Sequence, residues 1–364
     1  MKFAVLGAGA IGAYVGAALA RGGADVTLIA RGPHLEAMRR GGVRVLSPRG
    51  NFSAHPAVTG ELAAVAGADV VFVALKAYSL PEIAPRLGEL LAPGATAIWA
   101  QNGIPWWYFQ SLPEPPGGAD GAGDAGGAGA AGTAWLESVD PGGIIAKSIA
   151  PEHNVGCVVY CSTEIIEPGV VKHIEGTRFT IGEPDGSKTP RCARISEAFA
   201  AGGLKAPVET RLRDQIWLKL VGNVAFNPIT ALTRATLGEL GTTAEMVELL
   251  RAIFAECAAV ADRLGIRFPV SLDRRLEAGL AVGDHRTSML QDLEAGRRLE
   301  LDCMTGAVVE LAGRLGVAVP HVQTVHACAT LLDRLSETEP GHDADRHEEA
   351  GGEYRARRAR WRRA

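Results

Sequence analysis

The chain opens with Met1-Lys-Phe-Ala-Val-Leu-Gly-Ala-Gly-Ala-Ile-Gly12, and this stretch decides the fold. A short apolar strand at residues 3–6 runs directly into the pattern Gly-x-Gly-x-x-Gly, and an alanine-rich helical segment follows. Strand, glycine turn and helix in this order are the context in which such glycines bind a dinucleotide. The alternative is a glycine-rich turn without a ligand, in a chain with 45 glycines.

Each glycine of this pattern has its own task. Gly7 permits the tight turn, Gly9 lets a pyrophosphate approach the backbone, and Gly12 lets helix and strand pack closely. The helix N-terminus offers free N–H groups and the positive end of its dipole to the phosphates. The predicted cofactor-binding residues of this loop are Gly7, Ala8, Gly9, Ala10, Ile11 and Gly12.

The end of the second strand indicates which cofactor binds. An NAD site places an acid about twenty residues after the glycines, where it binds the ribose 2′-hydroxyl. Here the strand at 25–30 ends at Ala30-Arg31, and Asp25 lies at its opposite end. A guanidinium pairs with a 2′-phosphate, which an acid would repel. Arg31 therefore predicts NADP(H), unless it is only a solvated cation of a surface loop.

Composition favours a globular protein of two domains. The 364 residues are 47% hydrophobic and carry a net charge of −4, which gives no reason to expect nucleic acid. No apolar run reaches the roughly 18 residues of a membrane span. Six cysteines without a CxxC pair, and without histidines at ligand spacing, predict reduced thiols, no metal site and a cytoplasmic protein.

Strands and helices alternate through the first hundred residues, as in a parallel sheet with helices on both faces. Strands are predicted at 43–46, 68–75 and 96–100, with a helix at 80–91. Three more are predicted at 155–166, 169–174 and 178–181. Their short connections leave no room for crossover helices, so we expect antiparallel additions to the sheet.

From about residue 209 the pattern is helical only, with helices predicted at 214–225, 243–265, 288–316 and 322–335. The predicted fold is thus α/β: a doubly wound Rossmann domain with a mostly parallel sheet and antiparallel additions, followed by an all-α domain. We place the cofactor domain at 1–208 and the helical substrate domain at 209–335. A flexible glycine-rich insertion is predicted at 113–133, and a disordered charged tail at 336–364.

Two polar residues follow buried strands, at the edge where doubly wound sheets bind ligands. Lys76 comes after the strand at 68–75 and could line the nicotinamide half of the crevice or pair with phosphate. Asn102, in Gln101-Asn102-Gly103, could hydrogen-bond a substrate carbonyl or carboxylate. An Asn-Gly turn is the alternative for Asn102.

The helix around 217–228 carries three polar residues among apolar ones. Lys219, Asn223 and Asn227 recur at i, i+4 and i+8, which is one stripe. A buried lysine without a partner is costly, so the stripe indicates a cavity or a ligand. Lys219 could give a proton to an alkoxide formed by hydride addition, and desolvation would lower its pKa toward a useful range. The alternative is a snorkelling lysine with two capping asparagines beside Pro228.

Two further candidates lie on the predicted helix at 288–316. Ser288-Met-Leu-Gln291 is a capping-box pattern, so Ser288 is expected to be an N-cap, a place that can also hold a carboxylate. Glu300 lies between two leucines. If it faces inward, it needs a partner such as Lys219 or a substrate hydroxyl.

Together these motifs resemble the ketopantoate reductases (2-dehydropantoate 2-reductases). The resemblance covers about residues 1–335, in the family's order. It rests on Gly7-Ala-Gly-Ala-Ile-Gly12 with Arg31, Leu75-Lys-Ala77, Gln101-Asn-Gly103, Trp217-x-Lys-Leu-x-x-Asn-x-x-x-Asn-Pro228, and Ser288-Met-Leu-Gln-Asp292 with Glu300. The lysine helix and the Ser-Met-Leu-Gln-Asp motif are quite specific, whereas the glycine fingerprint alone is not.

The resemblance implies a Rossmann domain joined to a helical domain of the 6-phosphogluconate dehydrogenase-like type, with the active site between them. It implies that Lys219 is the general acid, that Asn102 orients substrate and nicotinamide, and that Glu300 holds the lysine or the substrate hydroxyl. The implied reaction moves the 4-pro-S hydride of NADPH to C2 of ketopantoate and gives pantoate, on the way to pantothenate and coenzyme A. The implied ligands are Asn223, Asn227 and Ser288 for ketopantoate, and Arg31 and Lys76 for NADPH.

Some features depart from the family pattern. His285 stands where members carry a polar amide, Trp106-Trp107 follows the Asn-Gly turn, and the insertion and basic tail are additional. These departures leave open a reductase of another 2-keto acid, with specificity set around His285 and Trp106. A non-catalytic NADP-binding sensor would fit better if Lys219 or Glu300 were missing. The expected partner is a small 2-keto acid, in a monomer or homodimer.

Overall fold

A computed structural model describes residues 1–112 and 135–338. The predicted insertion at 113–133 and the predicted tail beyond residue 338 lie outside the described residues. The strands are β1 (Lys2–Leu6), β2 (Asp25–Ile29), β3 (Val43–Leu46), β4 (Phe52–Ala54), β5 (Ala57–Thr59), β6 (Val70–Val73), β7 (Thr96–Trp99), β8 (Asn154–Glu167) and β9 (Val170–Gly182). They form one sheet in the order β4-β3-β9-β8-β7-β6-β1-β2-β5.

The helices divide between the two halves of the chain. Those of the sheet domain are α1 (Ala10–Arg21), α2 (Gly32–Gly41), α3 (Leu80–Leu90), α4 (Ile144–Ser148) and α5 (Pro190–Ala201). Those of the helical domain are α6 (Leu212–Thr233), α7 (Leu237–Leu240), α8 (Ala244–Arg263), α9 (Leu272–Leu280), α10 (Ser288–Glu294), α11 (Ala307–Leu315) and α12 (Pro320–Thr338). None of these described helices is both long and apolar enough to cross a bilayer.

The predicted combination of a Rossmann-like sheet and a helical domain is confirmed. β1 lies between β2 and β6 and pairs in parallel with both, so the chain reverses direction across the sheet at β1. Successive residues of β1 enter different cores. Phe3 and Val5 pack on the α1 side, whereas Ala4 and Leu6 pack on the side shared with the helical domain. Because strand residues alternate between faces, one apolar run serves both cores.

The two domains share packing as well as sequence. Trp217 of α6 is completely buried, and its indole N–H donates a 2.8 Å hydrogen bond to the hydroxyl of Tyr108 in the sheet domain. The same apolar cluster continues from Trp99 at the end of β7 into α6. The Lys219 helix is therefore fixed against the carboxyl ends of the central strands.

The prediction for the later strands was partly wrong. β8 and β9 are antiparallel to each other, but β8 runs parallel to β7 and β9 runs parallel to β3. The long connection between β7 and β8 includes α4 and gives room for a crossover, which the short links after residue 154 did not indicate. The two strands predicted at 169–174 and 178–181 are one strand with an irregular register. Gly176, at φ +72°, permits this irregularity because a Cβ there would lie 2.3 Å from the carbonyl oxygen of Tyr160.

The long helix predicted at 288–316 is also wrong. It is divided into α10, an irregular segment, a π-helical turn at Asp302–Gly306, and α11. Gly296, at φ +63°, ends the first helical segment in the left-handed region. The backbone N–H of Leu299 then bonds the Asp333 carboxylate instead of a helical carbonyl. At the C-terminus, α12 continues through residues 336–338, which the prediction assigned to the tail.

Candidate active site

The glycine loop between β1 and α1 is shaped for a ligand. Gly7 has φ +92°, and a Cβ there would meet the Leu75 side chain at 2.8 Å. A Cβ on Gly12 would lie 2.3 Å from the carbonyl oxygen of Gly7. Gly9 is different, because it is exposed and no described atom comes within 4 Å of its Cβ position. Packing thus explains the first and third glycines, whereas the open space at Gly9 fits a group from outside the chain.

The N-terminus of α1 completes this cradle. Gly9 is the N-cap and provides no capping side chain, so the first N–H groups of the helix face the open space at the loop. The first turn contains no acid that would compete with or repel a phosphate. Loop and helix together fit the pyrophosphate of a dinucleotide.

Arg31 lies where the sequence placed it, just beyond the carboxyl end of β2. It is exposed, in extended backbone, at the N-cap of α2. Asp25 is at the other end of β2 and is also exposed. The cofactor edge of β2 therefore presents a guanidinium, which suits a phosphate better than a ribose hydroxyl.

Within the described residues, the ammonium of Lys219 donates its hydrogen bonds to neutral acceptors. Its Nζ donates a 2.7 Å hydrogen bond to Oδ1 of Asn102 and another of 2.7 Å to the carbonyl oxygen of Val159. Desolvation lowers the pKa of Lys219 to about 8, with the nearby Arg275 acting in the same direction. Thiols and the Glu300 carboxylate oppose this shift, but burial outweighs them. The amine is therefore able to lose its proton near neutral pH.

Asn102 is held in place from both domains. Gln101, its neighbour, donates from Nε2 to the carbonyl oxygens of Val73 and Leu75, which fastens the ends of β6 and β7 together. On the other side, the N–H of Ile104 donates to the carbonyl oxygen of Cys303 at 2.7 Å. A Cβ on the intervening Gly103 would lie 2.1 Å from that same oxygen. The chain bends at Gly103, which has φ +83°, and this bend positions Asn102 against Lys219.

Glu300 faces inward, the case in which a partner was expected, and this partner is Lys76 rather than Lys219. The Nζ of Lys76 lies 2.9 Å from Oε2 of Glu300 and 2.8 Å from Oδ2 of Asp292. Both carboxylates are almost fully buried. Burial opposes the charge on Lys76, but Glu300 and Asp292 outweigh it and raise the pKa of Lys76. The ammonium is therefore engaged by two acids of the helical domain, and Asp292 is a site residue that was not singled out from the sequence.

Ser288 is not the helix cap that was predicted. Thr287 takes this position: its hydroxyl accepts from the N–H of Leu290 at 3.3 Å and shares a 2.6 Å hydrogen bond with Thr230 of α6. Two consecutive hydroxyl residues could both cap, and the contact with α6 favours the first. Ser288 is the first residue of α10 and is exposed. Its hydroxyl is consequently available to a ligand.

The asparagines of the stripe differ in burial. Asn223 is half-buried, and its amide makes no hydrogen bond within residues 1–112 and 135–338. Asn227 is 5% exposed, and among the described residues its amide N–H donates to the sulfur of Met304 alone, at 3.9 Å. Sulfur is a weak acceptor, so both amides retain hydrogen-bonding capacity.

A cavity of about 20 Å³ adjoins Lys219, lined by Asn102, Trp107, Cys157 and Leu220 among others. This volume holds roughly one water molecule.

Trp106 was expected near the crevice but is buried in the core, where it packs edge-on against Trp99 with ring centroids 5.1 Å apart. Of the two tryptophans, Trp107 rather than Trp106 lines this cavity. His285 contributes its backbone carbonyl to the N–H of Leu237.

Comparisons with known proteins agree with this architecture. The family model described as ketopantoate reductase PanE/ApbA matches residues 3–105, and its C-terminal counterpart matches residues 211–333. A 2-dehydropantoate 2-reductase from Mesorhizobium japonicum is 40% identical over 338 residues, covering 92% of this chain and 98% of that protein. One from Halobacterium salinarum is 30% identical over 338 residues, covering 92% and 99%. The crystal structure of a PanE/ApbA family ketopantoate reductase from Ralstonia eutropha gives a TM-score of 0.77 at 26% identity, covering 93% of this chain and all of that one.

Proposed function

The chain belongs to the ketopantoate reductase family of oxidoreductases, and from that premise we propose that it reduces 2-dehydropantoate to pantoate with NADPH. The observation that carries this proposal is the position of Lys219. Its amine is desolvated, bonded to neutral acceptors, and adjacent to Asn102 at the carboxyl end of β7. A proton donor at this edge of a dinucleotide-binding sheet suits the reduction of a carbonyl.

A nicotinamide cofactor, which the family implies, supplies a hydride when bound. The loop Gly7–Gly12 would hold its pyrophosphate, and Arg31 would pair with the 2′-phosphate that distinguishes NADPH from NADH. This assignment rests on the open space at Gly9 and on the exposed guanidinium beyond β2.

Lys219 would donate its proton to the C2 oxygen of the substrate, which becomes the hydroxyl of pantoate. Asn102 would orient the ammonium for this transfer through the 2.7 Å hydrogen bond between them. With a pKa of about 8, Lys219 is mostly protonated at neutral pH and still a better proton donor than an ordinary lysine.

The substrate ligands would be the polar groups that still have hydrogen-bonding capacity. These are the amides of Asn223 and Asn227 and the hydroxyl of Ser288. Glu300 and Asp292 would act through Lys76, since their carboxylates already bind that ammonium. We thus assign to Lys76 the positioning of the loop after β6 rather than a primary contact with phosphate.

Steady-state kinetics with a panel of 2-keto acids, each with NADPH and with NADH, tests the proposal. We expect ketopantoate with NADPH to have the highest kcat/KM. Preference for another 2-keto acid would keep the chemistry and overturn the substrate. Tight NADPH binding without turnover of any acid would favour a sensor instead.

A further inference from the structure

A half-buried arginine of the helical domain lies directly on the Lys219 helix. Arg275 of α9 places Nη2 2.6 Å from the position that a Cβ would occupy on Gly222. Gly222 stands three residues after Lys219 and one residue before Asn223. A side chain at position 222 would displace the guanidinium, so the glycine allows Arg275 to lie beside both residues.

This guanidinium has no compensating charge. Within the described ranges, 1–112 and 135–338, the side chain of Arg275 makes no hydrogen bond and no ion pair. Burial lowers its pKa, and the group that opposes this effect is the phenol of Tyr160. Burial in turn raises the pKa of Tyr160, so the phenol is neutral at physiological pH. A half-buried cation without a counter-charge costs free energy that a bound anion would recover.

A second polar group near Arg275 also has no acidic or carbonyl partner in the part of the chain that the structure describes. The hydroxyl of Tyr160 is buried and makes no hydrogen bond of good geometry there, and its polar neighbour is another cation, the guanidinium of Arg178. The guanidinium of Arg178 lies over the Tyr160 ring, 4.6 Å from its centroid, and the ammonium of Lys219 lies 5.9 Å from the same centroid. Arg275, Tyr160 and Lys219 thus form a cluster of donors, and within the described ranges none of their side chains bonds a carboxylate.

We propose that Arg275 binds the carboxylate of the 2-keto acid substrate while Lys219 donates to the adjacent keto oxygen. The carboxylate and the keto group occupy neighbouring carbons in such a substrate. The residue that binds the carboxylate therefore has to lie close to the proton donor. A guanidinium suits this task because its planar fork matches a carboxylate. Ser288 and Asn227 are then left for the hydroxyl end of the substrate. The inference rests on the proposed function and deepens it.

The test compares ketopantoate with its primary amide, which keeps the keto group and removes the charge. For Arg275→Ala we expect kcat/KM for the acid to fall about 10- to 100-fold, mainly through KM, because a charge-assisted hydrogen bond is lost. The value for the amide should change less than about threefold. Arg275→Lys should recover part of the loss. Arg274→Ala, which removes the same charge from an exposed site on the same helix, should change neither substrate.

An equal loss for acid and amide in Arg275→Ala would overturn the inference, because it would show a packing role. Calorimetric titration compares the affinities of the wild type and Arg275→Ala for pantoate without turnover. An unchanged affinity in the variant would also contradict the inference. A melting temperature and an NADPH affinity like those of the wild type exclude misfolding. If the wild type prefers a different 2-keto acid, the proposed substrate fails, and the comparison with that acid and its amide still decides the role of Arg275.

Discussion

The ammonium of Lys219 and the side-chain oxygen of Asn102 are joined by a 2.7 Å hydrogen bond across 117 positions of the chain. The acceptor is neutral, so it orients the lysine without offsetting the desolvation of its charge. Desolvation accordingly lowers the pKa of Lys219 to about 8. One contact between domains thus links the carboxyl edge of the sheet to the proposed proton donor.

The pH dependence of catalysis follows from this contact. The protonated lysine is the active form in reduction, so kcat/KM for ketopantoate should be level below about pH 7 and fall about tenfold per unit above pH 8. Asn102→Asp places a carboxylate beside the ammonium, which should raise the pKa of Lys219 and move the falling limb to higher pH. A profile that is flat from pH 6 to pH 10, or a limb that does not move in Asn102→Asp, would argue against the assignment.

Replacing Arg31 should change the choice of cofactor. Arg31→Ala removes the guanidinium that would pair with the 2′-phosphate, so NADPH affinity should fall about 10- to 100-fold while NADH affinity changes little. Fluorescence titration with each nucleotide measures both values. Arg40→Ala, an exposed arginine on the same helix, is the matched control. Equal losses for the two nucleotides would remove Arg31 from phosphate recognition.

Replacing Lys76 should lower the free energy of unfolding, because its ammonium joins the sheet domain to two acids of the helical domain. Lys76→Met leaves the buried carboxylates of Glu300 and Asp292 without their shared ammonium. We expect a loss of about 1–3 kcal/mol in the free energy of unfolding, less than for a fully buried pair because Lys76 is 35% exposed. Urea unfolding measures it, with the exposed Lys205→Met as control. Unchanged stability would show that solvent replaces the lysine at little cost.

Replacing Thr287 should affect stability, whereas replacing Ser288 should affect substrate binding. Thr287→Ala removes the cap of α10 and the partner of Thr230, and should lower the free energy of unfolding by about 1–2 kcal/mol. Ser288→Ala should change stability by less than about 0.5 kcal/mol and raise KM for ketopantoate. Thermal unfolding and steady-state kinetics of both variants decide the matter. The opposite pattern would make Ser288 structural.

The sequence predicted what is local or periodic. The glycine turn could be anticipated because Gly7 adopts a positive φ and Gly12 lies against the carbonyl of Gly7, which are both local requirements. The Lys219 stripe could be anticipated because α6 is otherwise mostly apolar. The partner of Glu300 could not, since Lys76 is 224 positions away and either lysine would satisfy its charge. Arg275 gave no signal either, because an arginine in a charged segment such as Asp273–Glu277 is typical of a solvated helix face.

The assignment of Lys219 as proton donor is tested most directly by the rate of NADPH oxidation with saturating ketopantoate in Lys219→Ala, followed at 340 nm at pH 7. The exposed Lys188→Ala is the control. General acid catalysis contributes typically 10²- to 10⁴-fold, so kcat should fall by about that factor while NADPH affinity and the melting temperature stay close to the wild-type values. A kcat within about threefold of the wild type would show that the proton comes from another group.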